Sequence, residues 1–201
     1  MENVDLIVIG AGQGGVPLAV AHAKAGKRVV LFERGRLGGS CVNYGCTPSK
    51  AFLASAHNAG RARLAKPLGI DVTVRVDQRA VMTRVRKIRD EWHDGVEAKV
   101  AKSGIELVRA SAAFTAERTV AGGDREFIGT TVVIDTGTSP LLPPIAGLAD
   151  VPYFTNVTWF DQETLPARVL VIGGGYIGLE LGQGAQRLGC AVTIVNSGDR
   201  I

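Results

Sequence analysis

The chain is short of most of the features that would place a protein quickly. Three cysteines in 201 residues, with one left over if two pair, do not make the framework of a small secreted disulfide scaffold. A large charge excess is also missing, since the formal net charge is +4. The basic residues are scattered apart from Arg84, Arg86, Lys87 and Arg89. That run is interleaved with Val85, Ile88, Asp90 and Glu91, so it reads as the solvated face of a helix and not as a nucleic-acid surface. Long apolar runs are absent too. The uncharged stretch 6–21 holds Gly10, Gly12, Gln13, Gly14, Gly15 and Pro17, and it is shorter than the roughly 20 apolar residues a membrane span needs. Glu2 and Asp5 stand where a signal peptide has a basic start. These absences predict a cytoplasmic protein without membrane or nucleic-acid partners. His22, His57 and His93 form no ligand pattern with the cysteines, so no metal site is expected.

What the chain does have is glycine. There are 26, in a sequence that is 46% hydrophobic and 21% charged, a globular composition far from that of disorder. The glycines take part in an internal echo. DLIVIGAGQGG (residues 5–15) answers to RVLVIGGGYIG (residues 168–178). In each copy an apolar, strand-like run ends in a glycine-rich turn and leads into a helical stretch, and a second strand follows at 28–32 and 191–195. Gly10 precedes Glu33, and Gly173 precedes Asn196, by the same 23 residues. Two such units predict a doubly wound α/β architecture with parallel strands and right-handed crossovers.

Between the copies, residues 51–63 and 77–103 read as helices and 105–114 as a strand. Short β-like runs around Gly122, Gly123, Asp124 and Gly129 read as an antiparallel insertion of hairpins. The proline-rich segment 140–152 is the expected boundary. The second unit then holds one strand, one helix and one further strand, too little to bury both faces of a parallel sheet.

Gly10-Ala11-Gly12-Gln13-Gly14-Gly15 fits the GxGxxG pattern between a strand and a helix. The first glycine makes the tight turn, the second admits a pyrophosphate to the backbone, and the third lets helix and strand pack closely, while free N–H groups and the helix dipole face the phosphates. Glu33 ends the second strand, where a carboxylate can accept from ribose hydroxyls. Gly173-Gly174-Gly175-Tyr176-Ile177-Gly178 repeats the pattern, with Asn196 in the place of the acid. An amide there leaves the choice between NADH and NADPH open, and Arg200 is a candidate for a 2′-phosphate or an ordinary solvated arginine.

Cys41 and Cys46 enclose Val42-Asn43-Tyr44-Gly45 and are followed by Thr47-Pro48-Ser49-Lys50 and an apolar helix. Thr47 is a candidate N-cap and Pro48 a candidate first helical residue. Cys46 would then lie beside a helix N-terminus, where the dipole and Lys50 favour a thiolate. Taken alone, the spacing leaves a reactive pair open beside two ordinary core cysteines, while a structural disulfide is uncommon in a cytosolic chain and a zinc site lacks its further ligands. Cys190, just before an apolar strand, reads as a buried small hydrophobe.

The flanks discriminate. GGSCVNYGCTPSK (residues 38–50) resembles the redox signature of the class I pyridine nucleotide-disulfide oxidoreductases, the flavoenzyme family that includes dihydrolipoamide dehydrogenase, glutathione reductase and mercuric reductase. VIGAGQGG near the N-terminus, TVVIDTGTSP (residues 131–140) and VIGGGYIGLELG (residues 171–182) extend the resemblance along the chain. It implies a Rossmann-like FAD-binding domain at 1–145 carrying the redox cysteines, then the beginning of an NAD(P)-binding domain at 146–201, with the family's C-terminal dimerisation domain not in this chain. FAD would be held by Gly10, Gly12, Gly14, Gly15, Glu33, Arg34, Gly39, Ser40, Lys50, Ala113, Thr136 and Gly137. The nicotinamide dinucleotide would be held by Gly173, Gly175, Tyr176, Gly178 and Asn196. Cys46 would be the flavin-proximal charge-transfer sulfur and Cys41 the thiol presented to substrate, with Glu180 pairing the Lys50 ammonium near the flavin.

The implied activity passes electrons from NAD(P)H through FAD to a Cys41–Cys46 disulfide, and on to a small disulfide or a metal ion, in a homodimer. The alternative is a truncated flavin-binding module without catalytic competence. The family's catalytic His-Glu pair belongs to the C-terminal domain, and no residue of this chain is assigned to it, so the chain by itself is expected to be poorly active. Tyr44 and Thr47 replace smaller or aliphatic residues, and TPSK leans toward mercuric-reductase-like relatives. The metal-binding CxxC module expected ahead of a mercuric reductase is not in this sequence.

Overall fold

The computed structural model describes residues 1–198. The chain forms two compact units, one from residues 1–43 with 90–143, the other from residues 44–89 with 144 onward.

In the first unit, β1 (Glu2–Ile9), β2 (Val29–Phe32), β3 (Glu106–Val108), β4 (Ala113–Ala116), β5 (Thr119–Gly122) and β6 (Arg125–Ile134) form one sheet in the order β3-β2-β1-β6-β5-β4. The first four strands of that order run parallel, and β6-β5-β4 is the antiparallel extension. β1 is central and apolar on both faces, as a strand covered from two sides must be. Its alternation assigns the faces. Leu6 and Val8 meet Val16, Ala19 and Val20 of helix α1 (Gly15–Lys24), while Ile7 and Ile9 meet Val30, Phe32, Val120 and Phe127 on the other side. Phe32 and Phe127 pack edge to face at 6.0 Å between ring centroids, the geometry the ring quadrupoles favour.

Of three expectations here, the hairpin at Gly122–Asp124 is met and two differ from the structure. Residues 105–114 are not one strand, because β3 lies at one edge of the sheet and β4 at the opposite edge, so the chain must leave the sheet between them. The hairpin turn falls at Gly123 (φ +63) and Asp124, where Gly122 pairs with Arg125. Gly129 makes no turn. It lies inside β6, the strand that carries both the antiparallel β5 pairing and the parallel β1 pairing, and Ile7 packs where its side chain would be.

The second unit is built on α3 (Cys46–Arg63), the start of α4 (Gln78–Ala101), α5 (Tyr176–Arg187) and a parallel pair, β7 (Arg168–Ile172) with β8 (Ala191–Val195). Phe52 is fully buried, edge to face with Trp159 at 6.2 Å and Phe160 at 6.1 Å. Gly184 of α5 lets the helices close, since a Cβ there would stand 2.4 Å from the Phe52 ring. Leu170 and Ile172 remain exposed on β7. The basic run on α4 is only partly solvated. Arg89 falls at i+7 from Met82 and i+4 from Val85, on the buried face, and donates to Asp161 at 2.7 Å. Arg84 and Arg86 donate to the carbonyls of Ala51 and Gln162, so forked guanidinium donors fix this run to backbone. Among the described residues no helix is long and apolar enough to cross a membrane.

At the N-terminal ends of the parallel strands Glu2 accepts from Arg28 and Arg125, and Arg125 also reaches Glu106. The Arg28 hydrogen bond, followed by that from Arg125, holds the Glu2 carboxyl below its ordinary value of 4.5. A folded-state value lowered in this way stabilises the native state above the ordinary pKa, and the benefit disappears as pH falls through the folded value. Thermal melts between about pH 6 and about pH 3 should therefore show a shallower acid loss for Glu2→Gln than for the parent chain.

Candidate functional site

The turn leaving β1 is forced by close approaches. Gly10 has φ +104, and a Cβ on it would stand 2.0 Å from the Asp135 carbonyl oxygen; a Cβ on Gly15 would stand 2.2 Å from the Gly10 carbonyl oxygen. Gly10 N–H donates to Phe32 O at 2.8 Å, and Ala11 N–H to Glu33 Oε2 at 2.8 Å. The other Glu33 oxygen accepts from Gly35 N–H at 2.7 Å, so this carboxylate ties two turns together and keeps spare lone pairs. Gly14 occupies the cap of α1, and the N–H groups of Gly12, Gln13 and Gly14 find no acceptor among the described residues. Gly39 lies so close to Gly12 that a Cβ on it would be 2.7 Å from the Gly12 Cα, and Gly38 N–H donates to Ala11 O at 2.8 Å. The result is a cradle of three backbone donors without acceptors among the described residues, at the positive end of a helix and with the Asp135 carboxylate beside them.

The second loop repeats these dimensions. Gly173 has φ +105, and a Cβ on Gly178 would stand 2.3 Å from the Gly173 carbonyl oxygen. Gly173 N–H donates to Val195 O at 2.8 Å, and Gly174 N–H to Asn196 Oδ1 at 3.2 Å. Asn196 also donates to Gly198 O at 3.2 Å, so the amide holds one turn as acceptor and the next as donor, where Glu33 accepts from both. Gly175 caps α5, and Tyr176 stands 81% exposed at its first position. Arg200 lies outside the described residues.

The cysteines fall on different elements. Cys41 is half-buried on the short helix α2 (Gly39–Asn43), Cys46 is exposed at the first residue of α3, and Cys190 is buried before β8. Helix α3 starts earlier than expected. Gly45, not Thr47, is its cap, and Pro48 is the third helical residue, where a missing N–H still costs no helical hydrogen bond. Asn43 was not anticipated as a site residue. It is fully buried, and its Nδ2 donates to Leu37 O and Gly39 O, both at 2.9 Å, which fixes the turn leading into Cys41. Asp135 was also missed; its Oδ2 accepts from Gly15 N–H at 2.7 Å. A carboxylate ending an apolar run was visible in the sequence, but its target 120 residues earlier was not.

Arg34 and Ser40 are exposed beside the first loop, Thr136 and Gly137 (φ +66) are exposed just after β6, and Ala113 is exposed on β4. Lys50 is exposed on α3 and Glu180 half-buried on α5. The two helices pack together at Phe52 and Gly184, but no ion pair joins Lys50 and Glu180 among the described residues. A concavity of about 290 Å³ lined by His57, Gly60, Arg61, Leu64 and Arg187 includes none of the anticipated residues. No cluster of three metal-binding side chains occurs among the described residues.

Residues 4–201 match the family described as pyridine nucleotide-disulphide oxidoreductase. The chain belongs to that family. The chain is 37% identical to a mercuric reductase of Shigella flexneri over 96% of its own length and 36% of the relative's. It is 35% identical to a dihydrolipoyl dehydrogenase of Haloferax volcanii over 99% of its length and 43% of the relative's. The HOCl-induced flavoprotein disulfide reductase RclA from Escherichia coli superimposes with a TM-score of 0.84 at 27% identity, over 98% of this chain and 42% of that one. The chain thus spans less than half the length of these relatives. The six-stranded, mostly parallel sheet agrees with the Rossmann-like fold expected, and membership of an oxidoreductase family favours an enzyme over a non-catalytic module.

Two outcomes follow from this geometry. Gly15→Ala should cost about 1–3 kcal/mol in urea unfolding through steric overpacking, whereas Gly175→Ala, whose Cβ would meet nothing within 4 Å, should be close to neutral. Burial pushes the Cys190 thiol above its ordinary value, so iodoacetamide near neutral pH should alkylate Cys46 in the native chain and Cys190 only after unfolding, as peptide mapping would show.

Proposed function

We propose that this chain is the dinucleotide-binding portion of a FAD-dependent oxidoreductase that draws electrons from NAD(P)H and delivers them through Cys41 and Cys46 to a disulfide or a thiophilic metal ion. The observation that carries this reading is the pair of matching loops, each with a positive-φ glycine, a close-packed glycine at the following helix, and a polar side chain 22 residues on that holds the turn. Two such turns suit two dinucleotides, and the family's name supplies their class. The first loop fits FAD, because its glycines leave the backbone open to a pyrophosphate and its Gly12, Gln13 and Gly14 N–H groups have no partner within the described protein. Glu33 keeps lone pairs for ribose hydroxyls. The second loop is assigned to NAD(P)H, with Asn196 in the ribose position and Tyr176 over the nicotinamide side.

When bound, the flavin supplies a two-electron relay between nicotinamide and sulfur. The chain's own residues do the sulfur chemistry. With both thiols reduced, the Cys41 sulfur attacks one sulfur of a substrate disulfide and releases the other as a thiol. Cys46 then attacks Cys41 in the mixed disulfide, releasing the second thiol and closing the Cys41–Cys46 bond, so two thiols are oxidised and one disulfide is reduced. Cys46 stands exposed at the first residue of α3. The relatives named mercuric reductase and disulfide reductase support either acceptor, and the whole enzyme is proposed to work as a homodimer.

The test is an anaerobic visible spectrum after incubation with FAD and desalting. The parent chain should retain yellow flavin bands and gain a long-wavelength shoulder with one equivalent of dithiol. Cys46→Ser should keep the flavin bands without the shoulder, and Cys41→Ser should show the shoulder before any dithiol is added. A chain that takes up no FAD would remove this reading.

A further inference from the structure

We propose that Asp135 is a positioning residue for the first glycine loop, acting as a cap that the helix itself does not supply. The inference rests on the reading of that loop as a dinucleotide site. Helix α1 begins with Gly14 at its cap, has no side-chain capping bond, and carries no acidic residue in its first turn. That arrangement leaves its first N–H groups without the usual partner. Asp135 fills the place from the far end of β6. Its Oδ2 accepts from Gly15 N–H at 2.7 Å, and its own N–H donates to Ile9 O at 2.7 Å, so the carboxylate is anchored to the same strand end that launches the loop. The carboxylate also lines the inside of the turn. A Cβ on Gly12 would stand 3.0 Å from Oδ2, and one on Gly14 3.4 Å from Oδ1.

The carboxylate takes the first helical N–H of α1 and leaves the Gly12, Gln13 and Gly14 N–H groups, which have no acceptor among the described residues, for a ligand. A pyrophosphate is itself anionic, so the charge of Asp135 opposes it. The useful part is the hydrogen bond, which holds the three remaining donors in one orientation before the ligand arrives. An asparagine would keep that acceptor and discard the charge.

The experiment uses Asp135→Ala and Asp135→Asn in the 201-residue chain. Two quantities are read: amide hydrogen exchange of Gly15 in the apo chain by NMR, and the FAD dissociation constant by quenching of flavin fluorescence. Asp135→Ala should raise both by about tenfold or more, the loss expected for a charge-assisted hydrogen bond. Asp135→Asn should stay within about threefold of the parent in both. Unchanged Gly15 exchange in Asp135→Ala overturns the proposal, as does an equal loss of FAD affinity in the two variants, or an Asp135→Ala chain that binds FAD as the parent does. A parent chain that binds no FAD fails the functional reading instead, and the exchange measurement still decides whether Asp135 holds the loop.

Discussion

The close approach at the end of β1 is the constraint on which the first unit depends. Strand β1 is shared between β2 and β6, and its last residue hands the chain to a turn in which the Gly10 Cα faces a carbonyl and Gly15 faces the carbonyl of Gly10. No side chain fits at either point. Because the turn is that tight, α1 is laid directly over β1, and Leu6 and Val8 are buried against Val16, Ala19 and Val20. The same tightness leaves three backbone donors without partners among the described residues, so helix packing and open donors are two consequences of one steric fact.

The second unit reaches the same turn with fewer supports. Gly173 and Gly178 reproduce the backbone around the parallel pair β7 and β8. Asn196 accepts from Gly174 N–H and donates to Gly198 O, where Glu33 accepts from two N–H groups. The loop geometry is thus local, carried by glycine placement and one residue at the end of the next strand, whereas burial of the strands depends on how many neighbours the sheet has.

Family membership agrees with this division. A resemblance carried by short motifs at the glycine turns and the cysteine segment is matched by a TM-score of 0.84 to RclA at only 27% identity, because backbone positions that tolerate only glycine, or need an acceptor at a fixed spacing, are specified by geometry more than by the surrounding side chains. Residues that fill a core are exchangeable for others of similar volume.

The sequence by itself determined the two strand-turn-helix-strand units, their glycine-rich turns, the positions of Glu33 and Asn196 at the ends of the second strands, and the placement of Cys46 beside a helix start. Each rests on spacing within about thirty residues, where period and turn chemistry are readable. Tertiary structure decided what depends on distant segments meeting. The stretch 105–114 is split because β3 and β4 belong to opposite sheet edges, and Arg89 is buried because Asp161 and the Phe52 core come to its helix. Asn43, by contrast, donates to two carbonyls of its own turn, a local pairing that composition does not reveal. Asp135 reaches the first turn of α1 only because β6 pairs with β1, and sheet register, unlike helix period, is not written in any one segment.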